Sequence, residues 1–332
     1  MAAILAAWWV SRAFVSNDFE WHLLVSSIAQ VRGWWLVLAC LAIYATYAGR
    51  ALRWAVFLRP LTKPSILNIL SATVIGFTAV VVLGRPGEFV RPYLIARKEK
   101  VPVTSQLAAW LLERMFDLLM ALTLFGYALS RVTSSAIKAG PGLTWVLAVG
   151  GKAVALIGAL ALLLLIAFRH FAEPARRRIM DGLRFLPEPH FQKMEKFVTA
   201  FVQGVESTRS DRALLELLAY SVLEWLLIIG CYWCLALSFK GFSLTIVDVM
   251  ILLGFVSFGS VVQIPGIGGG MQVVSILVLT ELFGLRLELA TAFAFLAWIF
   301  TFVAIVPVGL LVAVHEGLNW RGIRRLGSEV PS

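Results

Sequence analysis

The chain is built from apolar runs about 20 residues long, the length needed to cross the hydrocarbon core of a bilayer, and such runs leave few folds open. Trp34 to Phe57, Ser65 to Leu83, Thr104 to Leu129, Leu143 to Phe168, Ala213 to Leu237 and Leu289 to Val314 are each apolar over most of their length. None alternates with period two over ten-residue segments, so a β-barrel is excluded. In hydrocarbon every backbone polar group must pair internally, and a helix achieves this within one segment. With 60% hydrophobic and 14% charged residues, 332 residues carry too little charge to cover a soluble surface. The expectation is an all-α polytopic membrane protein, one membrane domain over residues 1–332 with about eight membrane segments.

The charges then orient the segments. A net charge of +10 could suggest nucleic acid, but the basic residues sit between apolar runs, where they mark cytoplasmic faces and meet anionic headgroups. Arg50, Arg53 and Arg59 read as the interfacial end of the Trp34 to Phe57 span. Residues 169–212 form a hydrophilic loop rich in arginine and lysine. Its Phe191, Met194, Phe197 and Phe201 at helical spacing predict an amphipathic surface helix, lying on anionic lipid or docking a cytoplasmic partner. Placing that loop, the basic tail, the segment after Phe57 and Arg97-Lys98-Lys100 in the cytoplasm fixes the parity. Residues 65–97 must then begin and end inside, and residues 246–283 outside. Each is interrupted by glycines, at Gly84-Arg85-Pro86-Gly87-Glu88 and at Gln263 to Gly270, and each is expected to be a re-entrant, broken helix pair. Met1 to Val15 reads as a short first span and Ser16 to Arg32 as an interfacial helix. Cys40, Cys231 and Cys234 lie in apolar segments and read as structural thiols.

Two broken segments entering from opposite faces form the pattern of an inverted-repeat transporter with its substrate near the midplane. Interrupted backbone is tolerated at that depth only where it lines a wet cavity or is buried in protein. Helix N-termini at a break present free N–H groups to an anion, and Gly268 and Gly269 would allow close approach of the backbone. Arg85 and Arg91 are candidate bidentate donors to a phosphodiester. Glu88, Glu113 and Asp117 could orient the arginines or pair with a cationic headgroup. Glu113, Arg114 and Asp117 share part of one helix surface. Exposing a charge to lipid costs roughly 2.5–3.5 kcal/mol on insertion scales, so that surface must face inward. Stapling of helices by these ion pairs is the competing reading. Gln263 and Gln272 flank the second break and complete the candidate set, whereas Glu224 alone reads as a helix-to-helix contact.

The segments Gly84-Arg85-Pro86-Gly87-Glu88-Phe89-Val90-Arg91-Pro92, Glu113-Arg114-Met115-Phe116-Asp117 and Pro265-Gly266-Ile267-Gly268-Gly269 resemble three signatures of the lysylphosphatidylglycerol synthase transmembrane-region family, also called flippase-like domain proteins. The resemblance covers nearly the whole chain. It implies an all-helical membrane fold with re-entrant segments and movement of lipids or lipid-linked precursors across the cytoplasmic membrane. Gln272 stands where the family often has a glutamate. Bifunctional members carry a soluble aminoacyl-transferase domain after the membrane part. With Ser332 the last residue, the expectation is that this chain does not itself make lysylphosphatidylglycerol.

The leading functional expectation is thus a flippase for an aminoacylated phospholipid, a polyprenyl-phosphate-linked sugar or a similar polar lipid, without catalysis, cofactor or metal. A glycosyl- or acyltransferase using a lipid-phosphate donor is the second reading. No Asp-x-Asp or His-x-x-x-Asp constellation supports it, and His22, His170, His190 and His315 all lie outside the breaks. A non-transporting accessory subunit, docked through residues 169–212, is the third. No G-x-x-x-x-G-K-[ST] loop is present, so ATP use is not expected. Membrane lipids are the expected partners, and the sequence leaves the oligomeric state open.

Overall fold

A computed structural model describes residues 19–134, 156–160, 163, 166, 171, 173–183, 187–205, 210–260, 263–264 and 268–317. The expected first span over Met1 to Val15 lies outside these residues, as do most of Leu143 to Phe168 and the basic tail. The described chain is helical apart from one two-residue ladder. A short helix, α1 (Trp21–Ala29), precedes α2 (Gly33–Leu58) and α3 (Ile66–Leu83). A 3₁₀ turn over Arg85–Phe89 leads into α4 (Val90–Glu99) and the long α5 (Val103–Ser134). After a helical stretch at 173–182 come α6 (Glu188–Val205) and α7 (Asp211–Ser238). Then α8 (Ile246–Gly259) and α9 (Gly270–Glu281) flank the ladder, in which Gln263 pairs with Gly269 and Ile264 with Gly268. Finally α10 (Leu287–Trp298) runs through a π-turn at Ile299–Val303 into α11 (Ile305–His315).

By length and composition, four helical segments are long and apolar enough to cross a membrane among the described residues: Gly33–Leu58, Ile66–Leu83, Asp211–Ser238 and Leu287–His315. Their bounds follow sequence chemistry. The Ser65 side chain caps α3 by accepting from the Asn68 N–H, and Ser210 caps α7 in the same way through Ala213. At the far end of α3, Gly84 adopts φ 71°, a conformation that any Cβ would resist, and Pro86 then suits the first turn of the 3₁₀ segment.

The first break folds back tightly. A Cβ on Gly87 would stand 2.3 Å from the Ala79 carbonyl oxygen, and one on Gly76 would stand 2.5 Å from Arg91 Cβ. Only glycine lets the 3₁₀ turn and α4 lie this close to α3. At the π-turn, hydroxyls from α2 reach backbone carbonyls, Tyr44 donating to Ala304 at 2.6 Å and Tyr47 to Thr301 at 3.4 Å.

Two apolar cores divide the molecule. One gathers Ile43 and Tyr47 of α2 with Ile229 to Ala236 of α7 and the inner faces of α8, α9 and α10. The other gathers Ala51 to Leu58 of α2 with Leu217 of α7 and parts of α3, α4 and α5. Both α2 and α7 pass from one core to the other. The seam falls near Arg50 on α2 and between Leu217 and Ile229 on α7. Polar chemistry collects along it.

Candidate functional site

Three helices each turn a pair of polar residues, three or four apart, towards the seam. Arg50 and Arg53 come from α2, Glu113 and Asp117 from α5, Ser221 and Glu224 from α7. Arg53 is the hub and is fully buried. Its Nη1 donates to Asp117 Oδ1 at 2.8 Å and to Ser221 Oγ at 3.0 Å. Its Nη2 donates to Glu113 Oε1 at 2.7 Å and stands 3.2 Å from Glu224 Oε2. Arg50 pairs with Glu224 Oε1.

Arg91 of α4 enters from the first break. Both its terminal nitrogens donate to Glu113, Nη2 to Oε2 and Nη1 to Oε1, the latter at 3.2 Å. Its guanidinium also lies 4.2 Å from the centre of the Trp54 ring and 5.3 Å from that of Phe77. Aromatic faces partly replace the solvation lost on burial. Arg114 Nη2 reaches Asp117 Oδ2 at 3.1 Å. Four arginines (Arg50, Arg53, Arg91, Arg114) thus face three carboxylates (Glu113, Asp117, Glu224), leaving one positive charge in excess. A buried pair of this kind adds little net stability, yet removing one partner strands the other at a cost of about 3–5 kcal/mol.

Beside this network lies a cavity of about 400 Å³. Arg50, Arg91, Arg114, Asp117 and Glu224 line it, while Arg53 and Glu113 stand behind the wall. Both breaks border it, the first through Arg85 and Glu88, the second through Ser260 and Met271. Arg85 donates to Glu88 at 2.6 Å and to the Ser260 carbonyl at 3.0 Å, so a side chain from one break holds the end of a helix at the other. The rest of the wall is largely apolar, with Ile43, Phe77, Ile228, Leu253 and Val256.

The structure therefore brings together Arg85, Glu88, Arg91, Glu113, Arg114 and Asp117. Their roles are unequal. Glu113 is fully enclosed, and both terminal nitrogens of Arg91 are taken by it, so neither offers the free fork expected for a headgroup. Among the described residues, the second break lines the cavity through Ser260 and Met271 and not through the residues expected of it. Gly269 and Gln272 lie outside the cavity lining, and the Gln272 Oε1 accepts from the Gly269 N–H at 2.6 Å, closing the N-terminus of α9 internally. Gly268 is tied into the ladder. The backbone of Gln263 pairs with Gly269, while its side chain and Pro265 to Ile267 lie outside the described residues.

The sequence reads Arg50, Arg53 and Arg59 as the interfacial end of a span; the structure buries Arg53 and most of Arg50 in the seam between the two cores and leaves Arg59 half exposed. The signal was present: Trp54 to Leu58 continue the apolar run beyond Arg50 and Arg53, so the helix carries them inward with a buried turn still to follow. Glu224 does join helices, as expected, and it also lines the cavity. Trp225, beside it, gave no sequence signal.

The sequence profile of the family described as Lysylphosphatidylglycerol synthase TM region matches residues 1–309 of this chain. No curated protein and no solved structure matches it.

Proposed function

We propose that this chain, which belongs to the lysylphosphatidylglycerol synthase transmembrane-region family, moves a polar, phosphate-bearing lipid between the leaflets of the cytoplasmic membrane. The observation that carries the reading is the cavity itself. It is bordered by both helix breaks, walled by apolar side chains, and provided on one side with charges from four helices. A lipid has the same division, an ionic headgroup joined to apolar chains. Charges retained in a membrane interior at such expense mark a ligand path more often than a simple staple.

The two broken segments act in this proposal as re-entrant hairpins entering from opposite faces. Helix lengths support it: at about 1.5 Å per residue, the 14 residues of α8 and 12 of α9 reach roughly 21 and 18 Å, short of the ~30 Å hydrocarbon core. In the first segment the ten residues of α4 are shorter still, whereas the 18 residues of α3 reach about 27 Å, so there the support rests on α4 alone. Two short helices meeting at a ladder then expose polar backbone at mid-depth, where a wet cavity satisfies it.

The test is reconstitution. The purified chain in liposomes should move a fluorescently labelled anionic phospholipid between leaflets, read as the fraction quenched by an impermeant reductant. Arg114→Ala removes a cavity-lining charge and should abolish that movement. No transport by the parent protein removes the proposal, and transport at the unaltered rate in Arg114→Ala places the site elsewhere in the chain.

A further inference from the structure

Two kinds of group on the cavity wall lack a hydrogen bond: the Glu224 oxygens, which Arg50 and Arg53 already hold as ion pairs, and three donors that no acceptor meets. Arg50 Nη1 on α2, Arg114 Nε on α5 and Trp225 Nε1 on α7 are each shielded from solvent, and none meets a hydrogen-bond acceptor. Arg50 Nη1 stands 3.8 Å from Glu113 Oε1, beyond hydrogen-bond reach. All three residues line the same cavity. A shielded donor without an acceptor bears its full desolvation penalty, so three around one space make that space selective for whatever supplies the missing oxygens.

Neither a guanidinium nor an indole N–H can accept a hydrogen bond. An ammonium headgroup brings only more donors, and a sugar hydroxyl brings a donor with each acceptor. A phosphodiester brings two charged non-bridging oxygens and no donor. It also supplies the single negative charge that the four arginines and three carboxylates lack. The apolar wall formed by Phe77, Ile228, Leu253 and Val256 is suited to the glycerol and first methylenes of a lipid.

We infer that Arg50, Arg114 and Trp225 form an oxyanion subsite that takes the phosphodiester of the lipid. The inference rests on the translocase reading for the lipid being cargo, and on geometry alone for the phosphate. It moves the phosphate away from Arg91, whose terminal nitrogens are engaged by Glu113, to three groups on three other elements.

Trp225→Phe removes one N–H while keeping an aromatic ring, so packing of α7 is retained. The full chain in detergent micelles is titrated with dioctanoyl phosphatidylglycerol and with dioctanoylglycerol, which lacks the phosphate. The unaltered chain should prefer the phosphodiester by tenfold or more. Trp225→Phe should weaken the phosphodiester about tenfold, the size of one charge-assisted hydrogen bond, and change dioctanoylglycerol less than twofold. Displacement of the phosphodiester by millimolar inorganic phosphate would extend the subsite to the free anion, whereas resistance to it would tie the subsite to a lipid-borne phosphate.

Equal affinity of the unaltered chain for both lipids overturns the inference, and so does an unchanged phosphodiester affinity in Trp225→Phe. The transport assay separates the two proposals. Phosphodiester binding that needs Trp225, without movement between leaflets, keeps the subsite and removes the translocase. Movement and binding that both ignore Trp225→Phe remove the subsite and keep the translocase.

Discussion

The two helix breaks look alike in sequence, each a cluster of glycines interrupting an apolar run, yet they end differently. The first, at Arg85–Phe89, closes as a 3₁₀ turn and sends charge into the seam: Arg85 and Glu88 border the cavity and Arg91 follows one turn later. The second closes as a ladder between Gln263–Ile264 and Gly268–Gly269, with a neutral amide capping the helix that follows. The difference lies in what satisfies the interrupted backbone. At the first break glycine allows close packing, Gly87 fitting directly against Ala79, and the side chains are left free to project elsewhere. At the second, backbone pairs with backbone and the Gln272 side chain is used on its own helix end. One break equips a site and the other frames it.

The sharpest test of that asymmetry is Glu113→Gln. It removes the carboxylate on which Arg91, coming from the first break, and Arg53 converge. Two buried guanidiniums would lose their shared partner, and thermal unfolding in detergent should show a loss of about 3–5 kcal/mol. A loss below about 1 kcal/mol would mean that the first break is held by packing alone.

A smaller effect is expected at the second break. Gln272→Ala deletes the acceptor on the Gly269 N–H and leaves every cavity-lining charge in place. The expected loss is about 1 kcal/mol, that of a helix cap, with phospholipid affinity unchanged in the same preparation. A drop in affinity as large as that of a cavity-lining variant would make the two breaks equivalent.

How much of this was readable in the chain follows the same division. Helix positions were legible because apolar runs set them: Trp34 to Phe57 became Gly33–Leu58, and Ala213 to Leu237 became Asp211–Ser238. The charged members of the first break and of Glu113 to Asp117 were legible because ionisable groups in apolar runs have few places to go. The roles of Arg50 and Arg53 were missed, since a span-end arginine and a buried one look the same until the partner helices are known. Those partners, Glu224 and Ser221, are about 170 residues away in sequence. Trp225 is one of 12 tryptophans, and only the absence of an acceptor at its Nε1 distinguishes it. Gln272 reads as a ligand residue because it adjoins glycines; in the structure its Oε1 accepts from the Gly269 N–H at the start of α9, a pairing the sequence does not single out.

Arg85 is where the comparison is most delicate, because it belongs to one break and holds the other. Its side chain is half exposed, so its pairing with Glu88 contributes at most about 1 kcal/mol to stability. Its hydrogen bond to the Ser260 carbonyl, at 3.0 Å, nevertheless ties the C-terminal end of α8 to the 3₁₀ turn beside the cavity that both residues line. Arg85→Gln should therefore leave the melting temperature nearly unchanged while loosening that tie. With Cys40, Cys231 and Cys234 replaced by alanine, a cysteine at Ser260 reports on it. The Arg85→Gln change should raise the rate of labelling by a water-soluble maleimide about threefold, as expected for a tether worth a few tenths to 1 kcal/mol. An unchanged rate would mean that the breaks are positioned independently by their own helices. The resemblance between them would then extend no further than their glycines.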